Sequence, residues 1–208
     1  MRPHAAERSR RTLADVLLFA VTSAELALLV YLTPTFTIAD WIYVLQHLLV
    51  LGIALGRRPP AAQDRSLASN AAVGVTYAYP YAQVVYLRSV AGDPVWPAAG
   101  LVLVTLAAGL SLASLLTLGR WFGVRPASRG LATTGPYRFV RHPMYLAYVL
   151  ADVGYNLQEC NLGTALLVLA GWASLLYRLR AEERILARDP GWPAYVASVR
   201  YRLLPGLW

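Results

Sequence analysis

The sequence holds one cysteine, Cys160, and no lysine. A single thiol excludes an intrachain disulfide and a multi-cysteine metal site. Without lysine, all 19 basic residues are arginine, a usage that suggests a GC-rich genome. Charge is scarce: 14% of the 208 residues are charged, where a soluble domain carries roughly a quarter. There is no Gly-rich phosphate loop, no P-loop and no nucleophile elbow, and no internal repeat is evident.

Apolar residues are what the chain has in quantity. They make up 57% of it and come in long blocks, which is the composition of an integral membrane protein. A net charge of +8 on a soluble chain would suggest nucleic acid. Here it reflects arginines flanking membrane spans, and no nucleic-acid partner is expected. Residues 1–12 are basic and polar, and the apolar stretch after them is too long for a signal peptide and lacks a small-residue cleavage site. It reads as a retained span.

The expected fold is all-α, a polytopic membrane helix bundle of about six spans: Leu13–Leu32, 38–55, 71–87, 96–118, 143–157 and 162–179. The fourth, 23 residues long, gives roughly 35 Å of helix, enough to cross. The TPTFT link between the first two spans is tight, so Glu25 and His47 fall at similar depth in an antiparallel hairpin. Pairing them satisfies both, since a lone carboxyl in hydrocarbon is costly. One His and one Glu are too few ligands for zinc, and no metal is expected. The third span is unusual, with Tyr77, Tyr79, Tyr81, Tyr86 and Gln83 around Pro80, which should kink or open the helix. Its tyrosines could line an amphipathic pocket or simply pack. The fifth span is short and holds Asp152.

An even number of crossings puts the N-terminus, loop 56–70, loop 119–142 and the C-terminal tail on one side. That side carries 18 of the 19 arginines, with only Arg88 opposite, so both termini should be cytoplasmic, in a membrane that would be the bacterial inner membrane. Two regions follow: residues 1–118 as a four-span membrane part, and 119–208 as a core of arginine loop, helical hairpin and tail.

The longest polar interruption, 119–142, carries Arg120, Arg125, Arg129, Arg138 and Arg141 and runs through His142-Pro143-Met144-Tyr145 into an apolar segment. Pro143 suits the first turn of a helix. Arg141 and His142 then sit at a helix N-terminus near the membrane surface, a natural seat for an anion. The bland alternative is a loop whose arginines only grip anionic lipid. Across the hairpin lies the tail with Glu182, Glu183, Tyr195, Arg200, Tyr201 and Arg202. Arginine and histidine take a carboxylate, carboxylates accept from hydroxyl and ammonium groups, and aromatic faces suit a sulfonium. Glu182 and Glu183 could instead pair with Arg180 and Arg184 on a solvated helix end.

GPYRFVRHPMY, followed about 36 residues later by Glu182-Glu183-Arg184, then Tyr195 and YRLLP, resembles the isoprenylcysteine carboxyl methyltransferase and phospholipid methyltransferase group of integral membrane enzymes, over roughly residues 115–205. The resemblance implies a methyltransferase that uses S-adenosylmethionine, held between the hairpin and a cytoplasmic tail folded over it, with a lipophilic substrate entering from the bilayer. It implies that His142 and Tyr145, with Arg141 and the backbone near Gly135–Tyr137, contact the cofactor. Glu182 and Glu183 would hold its polar end or ribose, or order the tail over it. Arg202 would steer an acceptor carboxylate, with Arg200 a near competitor because the tail spacing differs by one residue from some relatives. Ala147 departs from the family, whose members often have glycine there.

Methyl transfer from a sulfonium is an in-line displacement, so the protein's work is alignment and desolvation. A carboxylate or thiolate acceptor is already ionised; an amine must shed a proton, which calls for a base such as Glu183, His142 or Asp152. Two other function classes compete: a non-catalytic lipid-binding or assembly scaffold, and a transporter using Glu25, His47 and Asp152 as a polar path.

Overall fold

The computed structural model describes residues 13–32, 36, 38–56, 62–64, 66–90, 95–123, 126–128 and 130–206. The basic N-terminus, most of the TPTFT link, residues 91–94 of the short outer loop, and Arg57, Arg58, Arg65, Arg125 and Arg129 lie outside them, as does the side chain of Arg88.

Among the described residues the fold is helical apart from one two-residue ladder. Its helices are α1 (Leu13–Leu32), α2 (Ile38–Gly56), α3 (Leu67–Ser89), α4 (Pro97–Leu118), α5 (Pro143–Gln158), α6 (Leu162–Leu186) and α7 (Trp192–Ser198). α4 with the turn after it (Pro97–Trp121) and α6 are long and apolar enough to cross a membrane, and shorter apolar stretches lie at Phe19–Leu28 and Asp40–Ile53. Large apolar side chains cover the outside: Leu101, Val102, Leu106 and Leu116 on α4, Leu162, Leu166 and Leu169 on α6. An apolar exterior of this extent fits hydrocarbon, not water.

Two helices run further than their apolar stretches. α3 starts at Leu67 rather than 71, because the Ser66 hydroxyl accepts from the Ser69 N–H at 3.1 Å and caps it. α6 starts in a reciprocal capping box between Asn161 and Thr164 and continues past 179 to Leu186. Its last turns carry Arg180, Glu182, Glu183 and Arg184, all good helix formers, and no Gly or Pro intervenes. Pro80 leaves α3 unbroken.

The helices pair differently from chain order. α5 packs most extensively on α4, and α6 on α3, while α5 and α6 touch little. Glycines set both pairs. A Cβ on Gly154 would lie 2.9 Å from the Gly100 carbonyl oxygen and 2.8 Å from Val104, so α4 and α5 approach backbone to backbone. A Cβ on Gly171 would lie 2.7 Å from the Tyr79 ring, and one on Gly163 would run into the Tyr86 ring, so α3 seats its tyrosines on α6. Polar bonds cross-link the bundle: Ser111 to Gln46 at 2.9 Å, Ser174 to the Ala72 carbonyl at 2.6 Å, and Tyr79 and Trp172 to Asp152. The ladder joins β1 (Ala62–Gln63) to β2 (Ala127–Ser128), so the second-to-third helix connection lies against the arginine loop.

The close approach at Gly154 has a measurable consequence. Gly154→Val should destabilise the detergent-solubilised protein by about 1–3 kcal/mol, the cost of overpacking, read as a lower midpoint of thermal unfolding. Gly109 is the control: it lies on α4 with nothing within 4 Å of an added Cβ, and Gly109→Ala should be neutral or stabilising by up to about 1 kcal/mol.

Candidate active site

The site is built where the Arg141-His142-Pro143 turn, the end of α6 and the C-terminal tail meet. Pro143 opens α5 as its first helical residue, with His142 at the N-cap. The tail lies along this turn: the N–H of Arg141 donates to the Tyr201 carbonyl and that of His142 to the Arg202 carbonyl, each at 2.9 Å. α7 packs ahead of it through an apolar cluster of Leu186, Trp192, Tyr195 and Val199, with Leu131 alongside. Leu203 reaches the cluster of Tyr145, Leu175 and Leu179.

One carboxylate gathers these pieces. Glu183 lies 2.9 Å from Arg141 Nη1, 3.3 Å from His142 Nε2 and 2.8 Å from Arg202 Nε. Burial alone would raise its pKa. The hydrogen bonds from His142 and Arg202 and the charges of His142 and Arg141 outweigh that and hold it at about 2. Glu182, beside it, accepts from the Tyr145 hydroxyl at 2.7 Å. The His142 and Tyr145 rings stack with centroids 5.5 Å apart. Tyr195 donates to the Tyr137 carbonyl at 2.9 Å, tying α7 to the short 3-10 turn Gly135–Arg138.

A pocket of about 80 Å³ opens among these groups. Tyr137, Arg141, His142, Tyr145 and Glu182 line it. Glu183 and Arg202 stand behind it, joined to each other. Gly135 does not reach it; at φ +55° it turns the chain against Thr117, two residues before Tyr137. The Arg200 side chain is exposed and only its carbonyl takes part, accepting from Arg141 at 3.2 Å. Two lining residues escape a reading by motif. Arg178 lies one turn before Glu182, buried, with its guanidinium 5.5 Å from the Tyr145 ring centre and 5.9 Å from that of Tyr77. Trp192 lies under the Arg141 guanidinium at 6.0 Å. The i, i+4 spacing of Arg178 and Glu182 was the available signal for the first.

A second, larger cavity of about 290 Å³ lies deeper, between the α1–α2 hairpin, α3 and the α4–α5 pair. Tyr77, Phe122, Met144 and Tyr148 line both spaces and form the partition between them. Tyr77, Tyr79 and Tyr81 face the deeper one, so part of the tyrosine row does line a pocket, while Tyr86 packs on α6. Glu25 and His47 approach to 3.7 Å there, and His47 Nδ1 bonds the Tyr43 carbonyl at 2.6 Å. Ala147 is buried and lines neither space. Among the described residues no three His, Cys, Asp or Glu side chains group as a metal site would need.

Residues 100–188, which hold the Arg141–Tyr145 turn and Glu182-Glu183, match the model of the isoprenylcysteine carboxyl methyltransferase (ICMT) family. The resemblance read from the motifs is shown over that stretch. It points to a methyltransferase of the membrane, from a family whose members generally use S-adenosylmethionine. The tail beyond 188 lies outside the match. Over 112 residues, 51% of this chain, the sequence is 28% identical to the nickel-cobalt-cadmium resistance protein NccN of Alcaligenes xylosoxydans xylosoxydans. The chain spans about half of that relative, 52% of its length. No solved structure matches it.

The Glu183 junction predicts a defined pH dependence. Its pKa lies below the 4.5 of an ordinary glutamate, so its contribution to tail docking is complete above that value and is lost as the pH falls through about 2. Glu183→Gln should lower the thermal midpoint at pH 7, and the gap to wild type should close between pH 4.5 and 2. At neutral pH trypsin should cut after Arg200 and Arg202 roughly tenfold faster in the variant, because local opening sets the rate.

Proposed function

We propose that the protein is an integral membrane, S-adenosylmethionine-dependent methyltransferase that acts on a lipophilic carboxylate, amine or thiol at the cytoplasmic face. In this reading α1 to α6 supply six spans, the last ending near Leu179 so that Glu182 and Glu183 lie at the cytoplasmic surface, both termini are cytoplasmic, residues 1–118 form the four-span membrane region, and 119–208 form the cofactor-binding core. The observation that carries it is the shared partition: a polar and aromatic pocket under the tail backs directly onto a mostly apolar cavity, through Tyr77, Phe122, Met144 and Tyr148.

The donor set fits the cofactor. Arg141 and His142 suit its carboxylate, Glu182 its ammonium or ribose hydroxyls, and the faces of Trp192, Tyr145 and Tyr137 its adenine and sulfonium. At about 80 Å³ the pocket is well short of the ~300 Å³ usual for a drug-sized ligand, so the tail and the 130–137 segment would part on binding. When bound, the cofactor supplies an electrophilic methyl group. The chain's own residues align, hold and dry the site. Glu183, ionised and bound by two arginines and a histidine, acts as a tether that keeps the tail over the pocket rather than as a base. Arg202, which it holds, is the arginine assigned to steering an anionic acceptor. A link to metal resistance, as in the name of NccN, would run through the methylated product.

One competing reading has support in the narrow pocket: a lipid-binding scaffold that keeps the family architecture without turnover. Calorimetry of S-adenosylmethionine with the detergent-solubilised protein separates the two. Saturable binding is expected, weakened at least about tenfold by His142→Ala or Trp192→Ala, each removing a direct contact of the kind worth about 1.4 kcal/mol or more. Labelled methyl should then pass to a lipophilic acid, amine or thiol. Binding without transfer to any of these selects the scaffold; no binding by folded wild type removes the enzyme reading.

A further inference from the structure

The deeper cavity is apolar over most of its wall, but two of its side chains have polar atoms that the protein leaves unanswered. Gln46 on α2 and Gln83 on α3 both line it, 7% and 4% exposed, and the amide nitrogen of each has no hydrogen-bond partner. The Gln46 oxygen accepts from the Ser111 hydroxyl at 2.9 Å. Ser111 can satisfy only one end of that amide whichever way it is turned, so one polar atom of Gln46 remains over. Buried polar groups without partners are rare because they are costly.

The rest of the cavity narrows what would answer them. Asp152 is already engaged: the Tyr79 hydroxyl lies 2.8 and 2.9 Å from its two oxygens, and the Trp172 indole N–H donates to it at 2.8 Å. With Asp152 supplied, the polar atoms left without partners are the glutamine amide nitrogens. Around them Val50, Leu115 and Met144 supply an apolar surface. A plain prenyl or alkyl chain would fill this space and leave both amides dry. An apolar molecule with a neutral oxygen acceptor would satisfy them.

Resting on the methyltransferase reading above, we infer that the deeper cavity holds a lipophilic carbonyl compound, whose oxygen the Gln46 and Gln83 amides receive, and that the methyl acceptor is of this class rather than hydrocarbon-tailed throughout. The oxygen held here is the recognition group; the reacting group lies at the partition.

Two probes of equal length test this: valerophenone, which has a carbonyl next to its ring, and pentylbenzene, which has a methylene there. Binding is read as the shift of thermal midpoint with probe concentration, in lipid nanodiscs and without S-adenosylmethionine. Wild type should bind valerophenone at least about tenfold more tightly than pentylbenzene, the discrimination one buried hydrogen bond supplies. Gln46→Leu and Gln83→Leu are close in volume; Gln83→Leu removes an unsatisfied group and should fold with an unchanged or higher midpoint, while Gln46→Leu also removes the Ser111 bond and should fold with a modestly lower one. Each should also reduce the preference, and the double variant should abolish it. Equal shifts by the two probes in wild type, or a preference that survives in the double variant, overturn the inference. Neither result depends on turnover, and calorimetry with the cofactor reports separately on the enzyme reading.

Discussion

The bonds of Glu183 to Arg141, His142 and Arg202 are the interaction on which the site depends. They join three parts of the chain, the turn before α5, the end of α6 and the C-terminal tail, at one carboxylate. A single surface ion pair is worth little. Here one carboxylate answers two arginines and a histidine in a partly buried place, beside two backbone bonds that fix the tail's register. Without it, Arg141 and Arg202 would face each other. Burial already lowers the Arg141 pKa and the charge of Arg202 lowers it further, while Glu183 pulls the other way. The junction therefore supplies attraction and also removes a repulsion that would open the tail.

The bundle beneath is arranged to leave room next to that junction. α5 is held to α4 by backbone contact at Gly100 and Gly154, and α6 to α3 by Tyr79 and Tyr86 lying over Gly171 and Gly163. Because α5 and α6 each spend their close contacts elsewhere, they diverge, and Tyr77, Phe122, Met144 and Tyr148 are left to fill the gap between pocket and cavity. Asp152 spans the divergence lower down, binding α3 through Tyr79 and α6 through Trp172. A carboxyl group at that depth is tolerated because two donors, the Tyr79 hydroxyl and the Trp172 indole N–H, answer it.

The number and order of the long helices were legible in the sequence because hydrocarbon thickness dictates the length of apolar runs. Their ends were less so. Ser66 as a cap for α3 could have been read; the run of α6 past Leu179 could not, since apolar periodicity stops where the charged turns begin. Helix pairing was the least legible. It depends on which glycine meets which tyrosine, and Gly163 and Gly171 look no different in sequence from Gly52 or Gly74, which meet nothing. At the site, His142, Tyr145, Glu182 and Glu183 stood out because they fall on one short motif and one charged pair. Arg178 and Trp192 did not, because each is known only by the ring or guanidinium it faces.

The same geometry bears on the acceptor. In-line methyl transfer needs a nucleophile with an electron pair free, and an ammonium must first lose a proton. Glu183, held at about 2, is ionised but already bound by Arg141, His142 and Arg202, so a proton placed on it would weaken the closure of the tail. His142 turns Nε2 to the same carboxylate, and Asp152 lies seven residues beyond Tyr145 along α5, roughly 10 Å of helix away. The groups nearest the partition are thus committed to holding the site shut. On the proposed reading this favours an acceptor that arrives already ionised, a carboxylate or a thiolate, whose negative charge also suits Arg141 and Arg178, the arginines that line the pocket.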